Sequence, residues 1–262
     1  MFQPKIIFFD IDHTLYIPSE KRIPESAIAA LNRLNQKGII TAIATGRTLA
    51  ALPTPIRVLI DQGLIKTVVS INGQYTQHNG TPLIGFPMTH HAVQHIAQQL
   101  HHKAIAHAFV SEQGIFTPLS NPYLEAAVAS VGITSAQTCG SKLPENVFQI
   151  LAFYPESKDA EIATMLPEDM KTVRWHEFGV DILPDEASKA RGIQAVLDTL
   201  NLTMHDTMAF GDGLNDMEMI ASVGCGVAMS NGEAALKAIA QHICPAAEED
   251  GIYRFLSENS II

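Results

Sequence analysis

Three short apolar runs, KIIFFD at 5–10, IITAIA at 39–44 and TVVSI at 67–71, are separated by segments of helical periodicity. That alternation constrains the fold more than any other feature. Continuous runs rich in β-branched and aromatic residues suit strands buried on both faces. Between the first two, IPESAIAALNRLNQKG puts Pro24 in a first turn, Ala27, Leu31 and Leu34 on one face, and Gly38 at the C-terminal cap. A second helix is expected over 49–62, its start disturbed by Pro53 and Pro55. Strand, helix, strand, helix, strand predicts right-handed crossovers and a parallel sheet.

The pattern changes in the middle. Over 85–184, strand candidates such as AIAHAFV and VFQILAFY mix with helices such as THHAVQHIAQQL and SKDAEIATML, with Gly, Pro and Asn breaks between them. This stretch reads as an inserted α+β domain with its own core. The first pattern then resumes. EASKARGIQAVLDTLNL carries Ile193, Val196, Leu197 and Leu200 on one stripe. TMAF and CGVAM read as strands and NDMEMIASV as a helix. SNGEAALKAIAQ opens with Ser230 and Glu233 at capping-box spacing. The expected fold is α/β, a doubly wound parallel-sheet core in two parts, 1–84 and 185–262, interrupted by an inserted domain at 85–184. Such a sheet holds its site at the carboxyl ends of its strands, with the insertion expected above it.

Composition narrows the partners. A 262-residue chain that is 47% hydrophobic has ample material for a core, and a formal charge of -10 argues against a nucleic-acid backbone or an anionic membrane as partner. No run approaches the roughly 20 apolar residues of a membrane span. The N-terminal apolar run is too short for a signal-peptide core. Cys139, Cys225 and Cys244 show no metal spacing and cannot all pair. A reducing, cytoplasmic setting is expected.

Three polar clusters follow three strand candidates: Asp10 and Asp12 after IIFF, Thr45 and Gly46 after IITAIA, and Asp212, Asn215 and Asp216 after TMAFG. In a parallel sheet they converge on one edge. Residues two apart on a strand share a face, so Asp10 and Asp12 are both expected to reach that edge. Four carboxylates at one mouth call for a hard cation, and oxygen ligands suit Mg²⁺. A calcium loop fails on spacing: counted from Asp10, position six is Leu15 and position twelve is Lys21. The glycines around GCGVAM do not complete a dinucleotide fingerprint.

In order and spacing, DIDHTL, ATGR, SKARG and GDGLNDMEM resemble the haloacid dehalogenase superfamily of phosphatases. The insertion point, after INGQY and before LPDEASKARG, is similar to that of the Cof-type subfamily, with a class IIB α/β cap. The resemblance implies a HAD-like, Rossmann-like core and a Mg²⁺-dependent phosphatase of small phosphorylated metabolites, sugar phosphates or similar. It implies Asp10 as nucleophile, forming an aspartyl-phosphate, and Asp12 as general acid and base. Asp10, the Asp12 carbonyl and Asp212 would hold the metal, with Asp216 as a further ligand or a support. Thr45, Gly46, Lys189 and Asn215 would hold the phosphoryl oxygens. A carboxylate meeting a phosphate dianion faces roughly 8 kcal/mol of repulsion near a surface, which Mg²⁺ and Lys189 would offset.

The family most often has glycine where this chain has His13, so the turn is expected to be strained there. His13 reads as a turn residue facing the cap or as a substrate contact. Arg47 reads as a substrate contact or the partner of an acid. His91, His95 and His102 fall opposite the stripe of Val93, Ile96, Ala97 and Leu100, which favours a solvated helix face over a zinc site. Two rival functions remain: a phosphotransferase or phosphomutase on the same core, and a non-catalytic sensor of a phosphorylated ligand. A monomer or small homo-oligomer is expected.

Overall fold

A computed structural model describes residues 2–118, 122–130, 137–139 and 143–262. In chain order, the first part holds β1 (Ile6–Phe9), α1 (Glu25–Gln36), β2 (Ile40–Ala44), α2 (Thr54–Asp61), β3 (Thr67–Ser70), β4 (Tyr75–His78) and β5 (Thr81–Gly85). Next come α3 (His90–His102), β6 (Ala106–Ser111), β7 (Gly114–Thr117), α4 (Pro122–Ser130), β8 (Gln137–Thr138), β9 (Gln149–Phe153), α5 (Asp159–Ala163), β10 (Met170–Arg174) and β11 (Gly179–Pro184). The last part holds α6 (Lys189–Leu200), β12 (Thr207–Gly211), α7 (Met217–Ser222), β13 (Cys225–Met229), α8 (Ala234–Ile239), β14 (His242–Cys244) and α9 (Gly251–Glu258). The chain divides into two compact units. One comprises Met1–Gly46, Leu52–Ile84 and Ser188–Ile262, the other Arg47–Ala51 and Gly85–Ala187.

The first unit is built on an eight-stranded sheet of order β14-β13-β12-β1-β2-β3-β4-β5. From β14 to β3 every pairing is parallel. Successive strands step away from β1 in one direction in the first part of the chain, while the later strands start beside β1 and step in the other. The topological switch therefore lies between β1 and β12, where open α/β sheets place their ligands. Every residue of β1 is fully buried, as its unalternating sequence requires. One face of the sheet packs Ile6 and Phe8 with Ile193, Val196 and Leu197 of α6 and Ile220 of α7. On the other, Phe9 stacks on Phe210 at 5.3 Å and Phe210 meets Phe255 of α9 edge-on. Burying each such ring contributes about 2–3 kcal/mol before entropy is counted. Cys225 and Cys244 are small core residues of this unit, and Met219 is packed inside it.

Several local expectations are corrected. The helix expected over 49–62 splits into a single 3₁₀ turn, Leu49–Ala51, and α2. The cause is Pro53, held at ψ 145° in the N-cap position of α2, with Pro55 behind it. The capping box at Ser230 and Glu233 does not form: α8 starts at Ala234 and has no side-chain cap. The preceding backbone is used elsewhere, since Glu233 N–H donates to the Asp212 carbonyl at 2.8 Å. Strands β4 and β5 extend the sheet through an antiparallel pairing with β3 that no apolar run announced. Their residues are mostly polar or half-exposed, as an edge permits.

The second unit carries a sheet of order β10-β11-β9-β6-β7-β8 among the described residues, antiparallel except for β7 with β8. Thr89 caps α3 by accepting from Ala92 N–H, and Val93, Ile96 and Leu100 bury against Phe109, Ile150, Ala152, Val180 and Ile182. His91, His95 and His102 are exposed on the opposite face. They form no metal-ligating group among the described residues. Arg174 ties the β10–β11 hairpin: its guanidinium donates to the carbonyls of Tyr154, His176 and Glu177, pairs with Asp159 and lies over the Tyr154 ring. No helix of the described residues is long and apolar enough to cross a membrane.

Candidate active site

Four adjacent parallel strands, β12, β1, β2 and β3, end at the same edge of the sheet. Asp212, Asp10 and Thr45 directly follow the first three, and Asn72 lies two residues past the end of β3. Asp10 N–H donates to the Phe210 carbonyl at 2.9 Å, which carries the β1–β12 pairing one residue past the strand and fixes Asp10 at the mouth. Only 8% of Asp10 is exposed.

The expectation that Asp10 and Asp12 share a strand face is corrected, because β1 ends at Phe9. The chain turns at once: Leu15 and Tyr16 N–H both donate to the Ile11 carbonyl. Asp12, half-buried, belongs to this turn and not to the strand. The turn passes through His13 at φ 61°, the left-handed region a glycine enters freely and an L-residue enters at a cost. His13 is exposed, and its carbonyl accepts from Asn231 Nδ2 at 3.2 Å. Thr14, from the same turn, donates its hydroxyl to Asp212 Oδ1 at 2.8 Å.

Lys189 opens α6 behind an N-cap, Ser188, whose hydroxyl accepts from Arg191 N–H. Its side chain is fully buried, with Nζ 2.5 Å from Asp10 Oδ1 and 2.6 Å from Asp216 Oδ1. Burial alone pulls an ammonium's pKa down. Here Asp10 and Asp216 outweigh it, so Lys189 is held firmly protonated, above the usual lysine range. Asp216 is also fully buried, and its Oδ2 accepts from the backbone N–H groups of Asp212 and Gly213, both at 2.9 Å. Each Asp216 oxygen is thus already engaged: one on the ammonium, one shaping the loop that presents Asp212. Gly211 is obligatory beneath it, since a Cβ there would lie 2.6 Å from Asp216 Cγ.

Asp10, Asp212 and Asp216 offer carboxylate oxygens that all lie within 4.8 Å of one another. Burial raises the Asp10 pKa well above the carboxylate range. Lys189 opposes this, while Asp216 and Asp212 add to it. Burial likewise raises Asp212, to about 6, against the hydrogen bond from Thr14. Burial thus favours protonation of Asp10 and Asp212, and ionising all three carboxylates against the one buried ammonium leaves two negative charges. One divalent cation neutralises them, and an all-oxygen donor set fits a hard ion such as Mg²⁺. Asp12 is not part of this cluster.

On the other side of Asp10, Thr45 N–H donates to the Val69 carbonyl and the Thr45 carbonyl accepts from Asn72 N–H at 3.1 Å. Gly46 is closely covered: a Cβ there would sit 3.1 Å from Asn72 Oδ1 and 3.5 Å from Asn215 Nδ2. Those two carboxamides meet, Asn215 Nδ2 donating to Asn72 Oδ1 at 3.2 Å. Thr45, Gly46 and Asn215 are therefore gathered as the sequence suggested, and Asn72, which it did not single out, stands among them. The available signal was position: Asn72-Gly73 directly follows the apolar run TVVSI, as the other clusters follow theirs. Arg47 belongs to the second unit, where its guanidinium donates to the Ala51 carbonyl.

The family model of haloacid dehalogenase-like hydrolases matches residues 7–256. YkrA of Bacillus subtilis is 32% identical over 260 residues, with 98% of each chain covered. From the same organism, the 5-amino-6-(5-phospho-D-ribitylamino)uracil phosphatase YitU is 27% identical over 271 residues, covering 98% of this chain and 97% of that one. Among solved structures, the subclass IIB sugar phosphatase BT4131 is 28% identical, with a TM-score of 0.87 over 98% of this chain and 100% of that chain.

Proposed function

Because the chain belongs to the haloacid dehalogenase-like hydrolases, we propose that it is a Mg²⁺-dependent phosphatase of small phosphorylated metabolites working through an aspartyl-phosphate on Asp10. The observation that carries this reading is the ion pair of buried Lys189 with Asp10, beside the three-carboxylate cluster. Lys189 orients the Asp10 carboxylate and keeps a positive charge where a phosphate dianion must approach. Asp10 then attacks phosphorus as the bond to the leaving oxygen breaks, and Asp12 in its acid form gives that oxygen a proton. In the second half Asp12, now a carboxylate, takes a proton from water as the water oxygen attacks phosphorus. Phosphate leaves and Asp10 is restored.

Asp10 and Asp212 are the side chains assigned to hold Mg²⁺, joined by the Asp12 carbonyl. When bound, the ion supplies charge neutralisation and polarises the phosphoryl oxygens. Asp216 is assigned a supporting role, because both its oxygens are engaged by Lys189 and by backbone amides. Thr45, the Gly46 amide and Asn215 are assigned to receive the phosphoryl oxygens. Substrate choice is assigned to the inserted domain. A sugar phosphate or a compound of similar size is the expected class, in keeping with the names of the related phosphatases.

The test is inorganic phosphate release from a panel of phosphorylated metabolites, with Mg²⁺ and with EDTA, for the wild type and Asp10→Asn. Release that needs the metal and vanishes in the variant supports the reading. Transfer to an acceptor without free phosphate would favour the phosphomutase, and ligand-dependent stabilisation without turnover would favour the sensor.

A further inference from the structure

Three consecutive residues after β3 have left-handed backbones: Ile71 at φ 53°, Asn72 at φ 49° and Gly73 at φ 87°. Ile71 is β-branched and only 1% exposed, so its conformation is costly and is not relieved by solvent. Strain of this kind persists only where the surroundings over-determine it, and such places cluster at functional sites. Here the surroundings are on view. Gly73 packs its backbone under the start of α6 so closely that a Cβ would lie 1.9 Å from the Ser188 carbonyl oxygen. Gln74 N–H closes the turn on the Ile71 carbonyl at 3.0 Å, and Asn72 N–H bonds the Thr45 carbonyl at 3.1 Å. One strained turn is thus fixed to the loop after β2 and to the helix end that carries Lys189.

What the turn holds up is the Asn72 carboxamide, 6% exposed, against Gly46 and bonded to Asn215. Left-handed Asn is tolerated where most residues are not, and its side chain is short enough to fit over a glycine. We propose that Asn72 is a positioning residue of the phosphoryl site. Through its hydrogen bond it sets the orientation of the Asn215 carboxamide and the height of the Thr45–Gly46 loop, so that their donors and the Lys189 ammonium face the same phosphoryl group. The inference rests on the phosphatase reading above.

The test uses Asn72→Gly, which removes the carboxamide and keeps a backbone at ease at positive φ, together with Asn215→Ala and the double variant. With the substrate of greatest turnover, each single change should lower kcat/KM about tenfold, near the worth of one or two well-placed hydrogen bonds. Inhibition by orthovanadate should weaken by a similar factor, with the thermal midpoint of the Mg²⁺-loaded protein nearly unchanged. The double variant should lose less than the product of the two single losses, because part of what Asn72 does it does through Asn215. Asn72→Asp keeps the shape and the acceptor but adds a negative charge, so vanadate should bind it less well than it binds Asn72→Gly. Multiplicative losses in the double variant, or unchanged vanadate inhibition in Asn72→Gly, would overturn the assignment while leaving the phosphatase reading intact. A wild type that releases no phosphate and binds no vanadate would overturn both.

Discussion

Lys189 and Asp216 form an ion pair of 2.6 Å in which neither side chain has any solvent exposure. Both charges have lost their hydration, so each depends on the other and on Asp10. Lys189→Met leaves the carboxylates of Asp10 and Asp216 buried without their cation. We expect a stability loss of about 3–5 kcal/mol at neutral pH, partly recovered by millimolar Mg²⁺, read from urea unfolding with and without the metal. A loss below 1 kcal/mol would mean the site is not desolvated in solution.

Metal should stabilise the fold through the same cluster. At a Mg²⁺ concentration a hundred times its dissociation constant, linkage gives about 2.7 kcal/mol. The midpoint of thermal unfolding should rise on adding Mg²⁺ and fall back with EDTA. Asp212→Asn should remove most of that rise while the metal-free midpoint stays near the wild-type value. An equal response in wild type and variant would exclude Asp212 as a ligand.

At φ 61°, His13 sits where glycine would be at ease. Relief of the left-handed strain competes with the extra chain entropy of glycine. His13→Gly should therefore stabilise the protein modestly, by up to about 1 kcal/mol. Activity that is kept alongside higher stability marks His13 as a turn residue. Activity that falls while stability rises marks it as a substrate contact.

Arg174 holds three carbonyls and the Asp159 carboxylate at one corner of the inserted domain. Arg174→Met keeps much of the stem and strands those acceptors. A destabilisation of about 2–3 kcal/mol is expected, seen as faster protease cleavage of the inserted domain. Inhibition by orthovanadate should change little, since none of these partners lies in the first unit.

His107 gives the inserted domain a pH dependence. Burial lowers its pKa from the ordinary 6.5, and the bond between Nδ1 and the Ile105 carbonyl opposes this only in part. The unfolded chain then binds a proton that the folded chain refuses. Stability is full above about pH 6.5 and is lost as pH falls from there towards the folded-state pKa. Unfolding followed from pH 7.5 to 5 should show the decline, and His107→Gln should flatten it. A decline of the same size in the variant would assign it to other groups.

Strand identity was legible because it is local. A run such as IIFF, apolar without alternation, can be satisfied only by burial on both faces, and parallel order follows from the helices between such runs. Position after a strand was enough to bring Asp10, Thr45 and Asp212 into one group. Local pattern carries no such information where the chain leaves regular structure. Asp12 was placed by a strand periodicity that had already stopped at Phe9. The Ser230 cap failed because the backbone after it serves the Asp212 carbonyl, a demand that no window around residue 230 contains.

The sequence by itself determined which segments form the central strands and which acids follow them. Tertiary structure alone decided what those side chains do to one another. Lys189 meets Asp10 across 179 residues of chain, and Asn215 meets Asn72 across 143. Asp216 is one of a polar cluster after a strand in sequence and becomes, once buried, the anchor of both an ammonium and a loop. Hydrogen bonds and desolvation depend on distance in space, and only the packed sheet brings those distances below 4 Å.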